Sequence, residues 1–143
     1  MEFANGLLYE PYHFSSKWEK GNQRGKQVGY PTINLKWNEN LVIPDGVYIT
    51  RTHIGKKVYN SLTFIGVSKT FDLNKPTIET HILHRKVIHS TLFTLWYKKK
   101  IKIDFLEYLR ENRKYVGTAG LKEQITKDIA AADKFFHPEI NKI

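Results

Sequence analysis

The sequence predicts a mainly β fold: a small antiparallel barrel of five or six strands with one α-helix at its C-terminal end. Two patterns carry this expectation. Apolar and polar residues alternate with period two through most of the chain, and a helical stripe occurs only near the end. Turn residues punctuate the alternating runs, so the strands are short; short antiparallel strands in so small a domain must hide their edges, which closure into a barrel achieves.

Taken in order, Tyr12, Phe14 and Trp18 alternate with His13, Ser15 and Lys17, and Ile33, Leu35 and Trp37 alternate with Thr32, Asn34 and Lys36. Both runs read as half-buried strands. Pro44-Asp45-Gly46 is a turn before the β-rich run Val47 to Ile54, and Gly55-Lys56-Lys57 separates that run from Val58 to Ile65, which predicts a hairpin. Further strands are expected at Thr77 to Leu83 and Lys98 to Phe105. The period then changes: Leu121, Ile125, Ile129, Ala132 and Phe136 fall on one helical stripe, with Thr118 as its N-cap and Pro138 near its stop.

At 143 residues the chain suits one domain, residues 1–143. A hydrophobic content of 41% with 13% aromatics is globular rather than disordered. No apolar run reaches the ~20 residues of a membrane helix. The first residues have no basic start followed by a long apolar stretch, and there is no cysteine, so a cytoplasmic protein is expected. The net charge of +9 favours anionic partners, among them nucleic acid, a membrane surface or a phosphorylated small molecule.

The stretch GNQRGKQVGYPTINL, residues 21–35, concentrates the candidate chemistry. It is not a Walker A loop, because the glycine spacing is short, Gln27 replaces the hydroxyl residue, and Pro31 with Ile33 and Leu35 leads into a strand instead of a helix. The ingredients of phosphate binding are still present: glycines let backbone N–H groups approach an anion, and Arg24 and Lys26 supply charge. An exposed glycine-rich turn with solvated cations is the alternative. Thr32 and Asn34 project to one side of a strand, where two neutral oxygens beside an anion loop suit a Mg²⁺ that already carries phosphate ligands. A wet strand face would also place two polar residues there.

Beyond these local readings, GKQVGYPTINL resembles the signature of the riboflavin kinase family, a glycine-rich basic turn leading into Gly-aromatic/aliphatic-Pro-Thr-x-Asn. LLYEPYHFSSKWEKGNQRG is similar to the strand that opens the kinase module of bacterial bifunctional FAD synthetases. Asp45-Gly46-Val47-Tyr48, Phe64-Ile65-Gly66, Thr70-Phe71, the Glu-Thr-His block of Ile78 to His84, Phe105 to Arg110, and Leu121 to Ile125 with Asp128 follow in family order. The resemblance covers nearly the whole chain. It implies a six-stranded antiparallel Greek-key β-barrel with a C-terminal helix, and transfer of the ATP γ-phosphoryl group to the 5′-hydroxyl of riboflavin, giving FMN and ADP. It also implies Mg²⁺ or another divalent cation, a monomer, and no nucleic-acid or membrane partner. The adenylyltransferase module is absent from these 143 residues, so FAD synthesis is not expected.

Carried over position by position, the resemblance makes Glu79 the base that takes the riboflavin hydroxyl proton and Thr32 and Asn34 the metal ligands, with Thr32 also on the ATP side. Gly21 and Lys26 correspond to the ATP-phosphate loop, Ile82 and His84 to the nucleotide side of the Glu-Thr-His strand, and Arg110, Arg113 and Tyr115 to the segment that closes over the flavin. Read without the family, Glu79 would be a solvent-facing strand carboxylate, Arg110 and Arg113 helix-end charges, and Tyr115 a core aromatic.

Other features carry less. His81 and His84 stand at an odd spacing that sends them to opposite strand faces, with no cysteine to complete a metal site. Lys98, Lys100 and Lys102 alternate with Ile101, Ile103 and Phe105 as a solvated face over a core does. The chain departs from the family pattern at Lys69, where proline is usual, and in RKVIHSTLFTLWY between His84 and Lys98, which replaces a shorter acidic stretch and leaves Tyr97 as its match. Two other functions fit the same barrel: a flavin-binding module altered in catalysis, and a basic barrel that stacks single-stranded nucleic acid on Trp18, Trp37 and Trp96.

Overall fold

Strand β1 (Tyr12–Glu19) opens the described part of the chain, and β2 (Ile33–Leu35), β3 (Gly46–Ile54), β4 (Lys57–Gly66), β5 (Thr77–Ile82) and β6 (Lys100–Arg110) follow before helix α1 (Gly117–Phe136). The computed structural model describes residues 11–19, 30, 32–67, 76–84, 99–115 and 117–139. All strand pairs are antiparallel and the sheet closes on itself in the order β1-β2-β5-β4-β3-β6. Strands β3, β4 and β5 form a meander and β6 returns beside β3, so the spatial order 6-3-4-5 is a Greek key.

The alternation decides what lies inside. Phe14, Trp18, Ile33, Leu35, Ile78 and Ile82 point into the barrel with the inward residues of β3, β4 and β6. Trp18 is therefore a core residue, and Trp37 packs against the same cluster; Trp96 lies outside the described residues. A second apolar cluster sits on the outer wall, where Val47, Ile49 and Leu62 meet Ala132, Ile129 and Phe136 of α1. With both faces covered, Gly46 to Thr50 are buried without a break, and burial there no longer follows the alternation.

Inside the barrel the alternation also delivers hydroxyls. Thr52 bonds to Ser61 at 2.7 Å, Ser61 to Thr50 at 2.7 Å, Thr50 to Thr63 at 2.9 Å, and Thr63 to Thr80 at 2.9 Å. All five residues are buried. Each bond contributes a net ~0.5–1.5 kcal/mol, whereas a hydroxyl left unmatched in this interior would cost about 1–3 kcal/mol. The ladder thus ties β3, β4 and β5 in one register. Tyr48 reaches out of the same interior and donates its hydroxyl to the Pro44 carbonyl. Burial first, then Tyr108 and Asp45, push its phenol well above the ordinary tyrosine range, so it remains a donor.

Most expected elements fall where the alternation placed them, with the hairpin turning at Gly55 in a left-handed conformation, φ 61°. Two differ. Strand β6 runs to Arg110, five residues beyond the expected end at Phe105. Two register shifts against β3, between Val47/Tyr48 and Ile49/Thr50, put bulges into this stretch and erase the period-two pattern that would have revealed it. The helix begins at Gly117, whose φ of 64° turns the chain into the first turn, so Thr118 is not the N-cap.

Gly46 is a second position that needs glycine. Its φ is 149°, and a Cβ there would stand 2.6 Å from Cε2 of Tyr108 and 2.8 Å from the Arg110 carbonyl oxygen. Gly46→Ala is expected to lower unfolding stability by about 2–4 kcal/mol, combining backbone strain with overpacking. Urea denaturation of parent and variant checks this, with a shifted midpoint at unchanged slope as the expected result.

Candidate active site on the outer wall

Strand β2 pairs with β5 through all three of its residues and with β1 through Asn34 and Leu35, and this pairing builds the site. Ile33 and Leu35 point inward, so Asn34 between them points outward. On β5, Ile78 and Ile82 point inward, so Glu79 points outward as well. Asn34 lies directly opposite Glu79 in the register, with Glu19 of β1 on its other side and Phe64 of β4 beyond Glu79. Direct antiparallel partners hold their Cβ atoms about 4.5–5.5 Å apart on one face. A carboxamide and a carboxylate are thereby set side by side on the outside of the barrel.

That outer position is not a wet one. Asn34 and Glu79 are each only 6% exposed. Thr77, two residues before Glu79 and on the same face, donates its hydroxyl to Glu79 Oε2 at 2.9 Å and so orients the carboxylate. Just before β2, Thr32 Oγ1 is buried and takes no hydrogen bond among the described residues. An oxygen in that state costs on the order of 1–3 kcal/mol, which a ligand would recover. Its lone pairs and the nearby Asn34 carboxamide are hard neutral donors of the kind that fit a divalent cation carrying phosphate oxygens.

Helix α1 borders this wall. Tyr30 packs its ring edge-on against His81, centroids 5.6 Å apart, and its hydroxyl lies 2.7 Å from Thr126 of α1. At the end of β6, Arg110 grips Asp128 of α1 with Nε 2.9 Å from Oδ1 and a terminal nitrogen 2.8 Å from Oδ2. Gln124 adds a bond to Asp128 Oδ1 at 2.9 Å, and the Arg110 guanidinium rests over the Tyr115 ring at 5.6 Å. The Asn112 side chain donates to the Val67 carbonyl, which ties the segment after β6 to the end of β4.

The residues singled out in the sequence thus divide. Asn34 and Glu79 are register partners on one wall, and Thr32 stands two positions before Asn34, just ahead of β2. Arg110 and Tyr115 form one unit with α1, but the Arg110 fork is committed to Asp128, and Arg113 is exposed with Nε 3.4 Å from Glu111 Oε1. Ile82 sends its side chain into the barrel core, on the face opposite Glu79, so a nucleotide contact there would have to come from its backbone. His84 takes a left-handed φ of 58° and sets Nε2 2.7 Å from Asp133 Oδ1 of α1. Gly21 and Lys26 lie outside the described residues, as do Lys69 and the 85–97 segment.

Sequence reasoning missed two partners. Asp128 was detectable, since a charged residue three positions after Ile125 falls on the apolar stripe and needs a counter-ion when that stripe is buried. Tyr30 and Thr126 are 96 positions apart and carry no such sign.

The chain is a closed six-stranded barrel with its polar candidate site on the outer wall and one C-terminal helix packed against it. The family model described as "Flavokinase: Riboflavin kinase" matches residues 8–136, and this chain belongs to the riboflavin kinase family. It is 32% identical over 142 residues to the bifunctional riboflavin kinase/FMN adenylyltransferase of Bacillus subtilis, covering 95% of this chain and 42% of that protein. It is 31% identical over 140 residues to the trifunctional protein RibF/MnmA of Mycoplasmoides gallisepticum, covering 97% of this chain and 20% of that one. The chain therefore spans less than half the length of these curated relatives. Among solved structures, a Streptococcus pneumoniae chain described as a macrolide-efflux protein superposes with a TM-score of 0.74 at 26% identity, over 91% of this chain and 41% of that one. Riboflavin kinase from Trypanosoma brucei shares the fold, with a TM-score of 0.56 at 18% identity over 93% and 85% of the two chains. Among the described residues, no helix is long and apolar enough to cross a membrane.

The Arg110–Asp128 pair is buried, with side chains 15% and 5% exposed. Asp128→Ala leaves the Arg110 charge in place without its partner and is expected to cost about 3–5 kcal/mol of stability. Arg110→Met with Asp128→Leu removes both charges and should cost clearly less. Urea midpoints of the three proteins check the ordering.

Proposed function

We propose that residues 1–143 form a riboflavin kinase domain that transfers the γ-phosphoryl group of ATP to the 5′-hydroxyl of riboflavin, giving FMN and ADP. The observation that carries this reading is the register pair Asn34–Glu79 on a buried outer wall, with a Thr32 oxygen two positions before Asn34 that is unbonded among the described residues. Family membership supports it.

In the reaction, the riboflavin 5′-oxygen forms a bond to the γ-phosphorus while the bond from that phosphorus to the β,γ-bridging oxygen breaks, and ADP leaves with the electron pair. The hydroxyl proton goes to the carboxylate of Glu79. Phosphoryl transfer asks for little covalent chemistry from the protein, so the chain's work is positioning and charge stabilisation. Thr77 holds the Glu79 carboxylate in one orientation. Burial at 6% exposure keeps competing water from its surroundings. Thr32 and Asn34 would hold the divalent cation, which when bound neutralises charge on the phosphate oxygens. Gly21 and Lys26 take the ATP phosphates in the same reading. Tyr115 and Arg113 border the flavin, with Arg110 fixing that segment to α1.

Chromatography after incubation with riboflavin and Mg-ATP tests the activity: FMN and ADP are the expected products of this chain, and folded protein that makes no FMN with Mg²⁺, Mn²⁺ or Zn²⁺ refutes the proposal. Glu79→Gln separates binding from chemistry. It should keep riboflavin affinity, measured by fluorescence quenching, while slowing single-turnover FMN formation by ~10²–10⁴-fold. A variant that turns over at the parental rate removes Glu79 from the chemistry.

A further inference from the structure

We propose that Tyr30 is a positioning residue: its hydroxyl fastens the segment that leads into Thr32 and Asn34 to helix α1, and this bond sets the affinity for the metal–nucleotide pair. The inference deepens the riboflavin kinase reading and rests on it. It starts from a proton count. Thr126 Oγ1 has one hydrogen, and that hydrogen goes to the Lys122 carbonyl oxygen, 2.9 Å away, which can only accept. The 2.7 Å contact between Tyr30 and Thr126 is satisfied together with that bond when the phenol donates and Thr126 Oγ1 accepts.

The ring of Tyr30 is held as well. It meets the His81 ring at 5.6 Å and 76°, edge to face, and His81 is the next outward residue after Glu79 on β5. One side chain thus spans from the catalytic strand to the helix and ends two positions from Asp128, the residue that grips Arg110. What it fastens needs such a support. Strand β2 is three residues long, and Thr32 precedes it, outside any strand pairing. The Thr32 oxygen, unbonded among the described residues, belongs to the residue two positions after Tyr30. A phenylalanine would keep the ring contact with His81 and lose the tie to α1, leaving the segment free to move away from the position in which Thr32 and Asn34 share a ligand.

The test compares parent, Tyr30→Phe, Thr126→Val, the double variant and Thr126→Ser. Mg-ADP affinity is measured by calorimetry, riboflavin affinity by fluorescence quenching, and folding by thermal melts. Each of Tyr30→Phe and Thr126→Val should weaken Mg-ADP binding by about 3–10-fold, the size of one net hydrogen bond. The double variant should be no weaker than either single, because both remove the same bond. Thr126→Ser keeps the acceptor and should bind as the parent does, and riboflavin affinity should be unchanged throughout. Parental Mg-ADP affinity in Tyr30→Phe, additive losses, or a parallel loss of riboflavin affinity would each overturn the positioning role. A parent that binds no Mg-ADP and forms no FMN would instead remove the kinase reading and this proposal with it.

Discussion

The pairing of a three-residue strand governs the rest of the structure. Strand β2 bonds to β1 through Trp18–Leu35 and Glu19–Asn34, and to β5 through Ile33–Thr80, Asn34–Glu79 and Leu35–Ile78. It closes the barrel between those two strands, so its register is also the register of closure. A slip of one residue would turn Ile33 and Leu35 outward and Asn34 into the apolar interior. The buried isoleucine and leucine, 1% and 2% exposed, oppose that slip, and the same preference holds Asn34 beside Glu79. Core packing and site geometry are thus one constraint here.

Helix α1 depends on that barrel and in turn completes it. Its apolar half covers Val47, Ile49 and Leu62, while its polar contacts reach three separate segments: Tyr30 through Thr126, Arg110 through Asp128, and His84 through Asp133. The first two of these segments carry residues assigned to opposite substrates. The hydroxyl ladder inside the barrel supplies a complementary rigidity, since its members come from β3, β4 and β5 and end at Thr80, the neighbour of Glu79. The ladder thereby braces the strand that carries Glu79.

Much of the fold was legible because its physics is local. The β3–β4 hairpin follows from Gly55 between two alternating runs, and β2 follows from Ile33 and Leu35 flanking Asn34. The end of β6 was not legible, because bulges at Leu106 and Leu109 break the alternation on which a strand is recognised. The interior hydroxyls were hidden for a different reason: Thr50, Thr52, Ser61 and Thr63 have the composition of a wet face, and only closure of the sheet shows that they satisfy one another. In the candidate site, the outward faces of Asn34 and Glu79 follow from strand periodicity, and their pairing follows from closure of the sheet. The Ile82 side chain did not join them, since an odd separation from Glu79 sends it inward whatever the motif around it. The contact of Tyr30 depends on a helix residue 96 positions away in sequence, which no local pattern encodes.

The proposed ligand site lies on the outer wall at the β2–β5 rung, away from the far side of the barrel. Paramagnetic broadening tests it directly: Mn²⁺ with ADP is titrated into ¹⁵N-labelled protein and amide signal loss is mapped. Selective loss at Thr32 to Leu35 and around Glu79, with the β3–β4 hairpin end at His53 to Lys57 and the paired residues Ile101 to Ile103 unaffected, is the predicted result. Broadening centred on the hairpin end, or spread evenly over the barrel, would contradict the account.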